Sequence, residues 1–219
     1  MKIEMVAVGQ PHVVPWRGRD VLTSIVKSPV EGRRTVRRHN VEGDRQSDRS
    51  VHGGEYKAVY TYAADHYDWW AGALGQELEP ANFGENLTIR EFDETDVSIG
   101  DVFRMGEAEL EAAAPRLPCS KLGLRFGDPG MVKEFAEAGR WGIYFRVVTE
   151  GAVGAGDAVE RIHVDPAGVR VYEIARVSLW DRDDRETIER LAAHARLDPS
   201  WRRHFAGNLA SSALDRSAR

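Results

Sequence analysis

Cys119 is the one thiol in the chain, and it sits in Ala-Pro-Arg-Leu-Pro-Cys-Ser-Lys-Leu at residues 114–122. Pro115 and Pro118 fix φ and remove backbone donors, so the segment reads as a rigid, non-helical loop directly after a strand. Arg116 and Lys121 flank the thiol and would favour the thiolate if the fold brings them close. A lone Cys is also commonly an inert buried hydrophobe, and both readings stand at this level. One cysteine cannot make an intramolecular disulfide, a thiolate-rich zinc site or an iron–sulfur cluster. Three chemistries are excluded at once.

Other segments carry weaker chemistry. Lys27-Ser28-Pro29-Val30 offers a cation and a hydroxyl beside a rigid bend, suited to a phosphate or to solvent. Asp44-Arg45-Gln46-Ser47-Asp48 and His52-Gly53-Gly54 form a polar, Gly-rich stretch that reads as a turn or as a close backbone approach to a ligand. His52 has no partner at zinc spacing. In Phe83-Gly84-Glu85-Asn86-Leu87 the Asn either caps a turn or presents its amide to a polar ring. Gly151, Gly154 and Gly156 precede a strand rather than a helix, which rules out a dinucleotide loop. The basic run Arg33, Arg34, Arg37, Arg38 and His39 lacks nearby stacking aromatics and reads as a solvated strand face.

These residues must be positioned by a fold that 219 residues can build, with 42% hydrophobic and 30% charged content. That composition fits a folded domain and excludes a disordered or fibrous chain. The formal net charge of −5 gives no global attraction for nucleic acid or anionic lipid, so neither is an expected partner and any anion site must be local. No apolar stretch reaches the roughly 18 residues of a membrane span, and the start reads as a strand rather than a signal peptide. The expected compartment is the cytoplasm.

Period-two or continuous β-rich runs at Lys2–Val8, Lys57–Tyr62, Leu87–Arg90, Glu107–Ala113, Ile143–Thr149 and Ala158–Val164 predict strands of a closed or strongly curved sheet. Gly100-Asp101 and Gly156-Asp157 punctuate it with turns that tolerate positive φ. Helices are predicted at Ala64–Leu74 and Met131–Ala138. After Asp165-Pro166-Ala167-Gly168 the texture becomes helical, with amphipathic stretches around Val171–Leu179, Ile188–Ala195 and from Asp198-Pro199 onward. The predicted division is therefore 1–166 and 167–219.

These pieces occur in an order that resembles the MOSC family (molybdenum cofactor sulfurase C-terminal domain), most closely its bacterial YiiM-like branch. The resemblance rests on Val8-Gly9-Gln10-Pro11, Ile25 to Val30, Gly43 to Asp48, His52 to Gly54, Phe83 to Thr88, Ile99-Gly100-Asp101, Pro115 to Leu122 and Gly156-Asp157. It implies a mainly β, barrel-like MOSC domain with peripheral helices, an α+β fold, followed by a small three-helix C-terminal domain. It further implies binding of the molybdenum cofactor (molybdopterin), with Cys119 as the protein ligand to the metal and the catalytic residue. Lys27, Ser28 and Arg45 become candidates for the cofactor's phosphate end; Asn86 and Arg116 for its pterin or metal surroundings; His52 and Lys121 for cofactor contact.

By the same resemblance the expected activity is a molybdenum-dependent reduction of small N-hydroxylated compounds, such as hydroxylamino-purine base analogues, as detoxification. A separate reductase, expected to be a flavoprotein, would supply the electrons. The alternative is a non-catalytic carrier of the cofactor, or of sulfur as a Cys119 persulfide. The sequence departs from the family pattern at Ser24 and Ala81, where Gly is expected, and at Ala114, where Gln is commoner. Ala114 is expected to lie nearest the metal, so this departure bears on substrate preference more than on cofactor binding.

Overall fold

The computed structural model describes residues 1–48 and 53–217, so His52 lies outside the described residues. The strands are β1 (Lys2–Val8), β2 (His12–Trp16), β3 (Arg19–Thr23), β4 (Ser28–Pro29), β5 (Arg34–Arg37), β6 (Asn40–Val41), β7 (Val59–Ala63), β8 (Leu87–Arg90), β9 (Val102–Met105), β10 (Ala108–Pro115), β11 (Ile143–Thr149), β12 (Gly151–Val153) and β13 (Val159–His163). The helices are α1 (Asp65–Leu74), α2 (Ser120–Phe126), α3 (Met131–Ala138), α4 (Val171–Leu179), α5 (Arg185–Ala193) and α6 (Pro199–Ser217). None of them is long and apolar enough to cross a membrane.

Eight strands form the main sheet, in the order β13-β9-β10-β11-β7-β8-β1-β4. Neighbours are antiparallel except β7 and β8, whose parallel pairing needs the crossover that α1 supplies. The far side curls back until Lys2 bridges Ala158 at the entry to β13, with the Ile3 N–H donating to the Asp157 carbonyl at 2.9 Å. This is the barrel-like, sheet-rich domain expected, although the ladder does not run on into a closed barrel among the described residues. Gly100 shows why its turn is a glycine: φ is +89°, and a Cβ would fall 2.5 Å from Asp165 Oδ2. The adjoining Asp101 accepts the Ser98 and Asp165 N–H groups, at 3.0 and 2.8 Å, and so ties the turn to the chain that leaves β13.

Helices α4 to α6 do not stand apart from this sheet. Ile174, Ile188, Leu191, Leu197 and Phe205 share one continuous core with Ile99, Phe103 and Leu110. Fully buried Glu111 on β10 accepts both Arg146, from β11, at 2.6 and 2.8 Å, and Arg196, between α5 and α6. A second core, built on Tyr62, Trp70, Phe83, Phe135 and Trp141, packs α1 and α3 on the other side of β7.

The segment 114–122 differs from its expectation. The two prolines lie before the helix boundary, Pro115 closing β10 and Cys119 standing in extended conformation at φ −141°, and α2 begins at Ser120. The basic run stays solvated, as expected, and three of its arginines also find partners: Arg33 reaches Asp157 at 2.8 Å and Glu107 at 3.3 Å, Arg37 reaches Glu150 at 3.8 Å, and Arg38 pairs with Glu55.

Candidate functional site

The junction between β10 and α2 places Cys119 on the wall of a cleft. β10 ends under the sheet with Arg116 almost fully buried, and the Arg116 backbone N–H donates to the Gly142 carbonyl at 3.2 Å. This anchors the loop to the start of β11. The guanidinium turns back toward the thiol, with Nη2 3.8 Å from Cys119 Sγ, and lies 5.0 Å from the Phe135 ring centroid and 5.9 Å from that of Tyr60. Burial opposes the Arg116 charge, but Cys119 and the phenols of Tyr60, Tyr144 and Tyr62 more than offset it and hold the guanidinium above its ordinary value. Its Nη1 is buried without a hydrogen-bond partner, as is the Oγ of Ser24, which also lines the cleft.

Among the described residues, the cleft is lined by Lys27, Lys57, Arg116 and Lys121 against one carboxylate, Asp44, so it is locally cationic in an acidic chain. It is an open cleft of about 80 Å³. Lys27 donates to Asp44 at 2.8 Å, and Asp44 also accepts the Gly9 N–H at 2.7 Å. Lys121 donates to Ser47 Oγ at 3.0 Å. Burial pushes the Lys57 ammonium down and the phenols of Tyr60 and Tyr144 up, so both rings stay neutral at physiological pH. Gly84 has φ +80°, and its bare Cα lets the loop before β8 close on Ile25, whose Cγ1 would be 2.9 Å from a Cβ there.

Of the residues singled out from the sequence, Lys27, Asn86, Arg116, Cys119 and Lys121 meet in this cleft. Ser28 and Arg45 do not. Each is the exposed neighbour of an inward-facing residue, Lys27 and Asp44 respectively, because consecutive residues of extended chain point to opposite sides. Asn86 lines the cleft but braces the sheet, accepting the Tyr60 N–H and donating to the Ala7 carbonyl, both at 3.2 Å. Ala114 is buried in the main core, not in the cleft. Sequence reasoning missed Asp44, Lys57, Tyr60 and Tyr144. Asp44 stood inside a quoted motif and could have been found as the counter-ion a buried Lys27 requires.

A family model described as the MOSC domain matches residues 48–160, which include Asn86, Arg116, Cys119 and Lys121. The chain belongs to the MOSC domain family. Among MOSC relatives, YflK of Bacillus subtilis (strain 168) is 39% identical over 198 residues, covering 90% of each chain. A protein named as a reductase in Gibberella moniliformis is 33% identical over 164 residues, 73% of this chain and 29% of that one. The crystal structure of YiiM from Geobacillus stearothermophilus superposes with a TM-score of 0.80 at 29% identity, covering 95% of this chain and 98% of that one.

MOSC domains are associated in general with the molybdenum cofactor, and the cleft's chemistry can be tested against such a group. Among the described residues, no three His, Cys, Asp or Glu side chains come together to hold a metal ion, so a metal here must bring most of its own ligands. One thiol beside a buried guanidinium, in a cleft whose described lining holds four cations and one carboxylate, suits a metal carried on an anionic organic ligand. The residues fit.

Proposed function

We propose that this MOSC protein is a molybdenum-cofactor-dependent reductase of small N-hydroxylated compounds. One observation carries the reading: a single half-buried thiol, Cys119, faces a cation-lined cleft with the Arg116 guanidinium beside it. Bound there, the cofactor would supply two-electron chemistry at a metal held by Cys119. Arg116 would hold negative charge next to the thiolate, and Tyr60 and Tyr144 would present neutral hydroxyls at the wall. Lys27, Lys57 and Lys121 would meet the phosphate end, with Lys27 kept in place by Asp44. The reductase name of the fungal relative supports the reaction class. The same proposal includes a separate flavoprotein electron donor, a cytoplasmic setting, and a division at residue 166 in which the three helices cover the sheet.

The test is turnover of a hydroxylamino compound with a small artificial reductant, using protein from a molybdate-fed host. Activity should scale with bound molybdenum and vanish in Cys119→Ala. Cofactor-loaded protein without turnover, or a fully active Cys119→Ala that retains molybdenum, would overturn the reading.

A further inference from the structure

A second cavity, of about 320 Å³, lies behind the segment Arg140-Trp141-Gly142 that leads into β11. We propose that it is a binding site for a planar aromatic carboxylate, the ring resting on Trp141 and Trp180 and the carboxylate meeting Arg140. This proposal is independent of the cofactor reading.

The wall is aromatic. Trp141 stacks on Tyr172 with centroids 5.2 Å apart and planes at 26°, and meets Trp180 at 5.4 Å and 38°. Trp141 is buried while Trp180 is 44% exposed, so this surface runs from the interior out to solvent, a shape that accepts a flat ring edgewise. The first turns of two helices also face the cavity: α1 through His66, and α4 through Val171 and Tyr172. The positive ends of their dipoles favour an anion.

The side-chain charges agree. Arg140 holds its guanidinium 4.7 Å from the Trp69 ring centroid, and its Nε is buried without a hydrogen-bond partner, as is the Nδ1 of His66. Burial pushes His66 down to about 4, so its ring is neutral at pH 7. Glu94 has both oxygens engaged, by the Ala63 N–H at 2.8 Å and the Gly142 N–H at 3.0 Å, and burial raises it to about 8. It is therefore mostly uncharged at pH 7. Glu137 stands at the rim, largely exposed and 3.6 Å from Lys133. What remains inside is the positive charge of Arg140 beside a flat aromatic wall.

Calorimetric titration of the full chain with benzoate and 2-naphthoate tests this, with cyclohexanecarboxylate as the non-aromatic control. The expected result is saturable one-to-one binding of an aromatic probe, at least tenfold weaker in Trp180→Ala and in Arg140→Gln, and unchanged in Cys119→Ala. Trp180 is exposed enough that its variant should fold, and circular dichroism checks both variants. Absence of saturable binding, equal affinity for the cyclohexane acid, indifference to both substitutions, or loss of binding in Cys119→Ala would each overturn the proposal.

Discussion

Replacing Glu94 by Gln should remove a specific pH dependence from the stability of the fold. The Glu94 carboxyl is raised from an ordinary 4.5 to about 8, first because it is buried, while the two backbone N–H groups and Arg140 pull the other way. A carboxyl raised on folding binds its proton more tightly in the native state, so its contribution is full at low pH and is lost as pH rises through about 8. Between pH 6.5 and 8.5 the unfolded Glu is already ionised. His66, 3.7 Å away and held near 4, is already neutral in the native state. Over that interval the wild type should therefore lose about 2 kcal/mol relative to Glu94→Gln. The variant also carries a constant penalty of about 1–3 kcal/mol, because the Gln amide nitrogen must face one of the two backbone donors. That offset does not change with pH. Urea unfolding of both proteins at half-unit steps reads the difference curve. Parallel stability curves would refute the reasoning and show that Glu94 is ionised in the native state throughout.

Other expected outcomes rest on different parts of the structure. Lys27→Met should cost about 3–5 kcal/mol by leaving the buried Asp44 carboxylate uncompensated, and Lys27→Met/Asp44→Asn should recover most of it in urea unfolding; a small cost in the single variant would mean that Asp44 is solvated. Ala81 is fully buried at φ +60°, a conformation that costs a side chain about 1 kcal/mol, so Ala81→Gly should raise stability by about 0.5–1 kcal/mol in thermal unfolding, and a loss would mean that packing of the methyl outweighs the strain.

The strands β1, β8 and β11 were legible from end to end because each is a continuous β-rich run that buries much of its length. The stretch from β2 to β6 was not. The β2–β3 hairpin leaves Val13 and Leu22 more than half or half exposed, and β4 and β6 are two residues each, too short for a period to register. Helix α2 was hidden because two prolines dominate the window before it, although both precede its first turn. At the site, Arg116, Cys119 and Lys121 could be read from one loop. Tyr60 and Tyr144 could not, because a strand pattern does not say which face meets a cleft that only the folded sheet creates. The cavity behind Arg140 draws on residues from 66 to 180, and no local spacing announces it.

The measurement closest to the central claim is X-ray absorption at the molybdenum edge on cofactor-loaded wild type and Cys119→Ala. Cys119 is half-buried at the start of a short helix, so the variant should fold and can be compared directly. The expected result is one sulfur neighbour fewer around the metal in Cys119→Ala. Identical sulfur shells in the two proteins would contradict the assignment of Cys119 as the metal ligand.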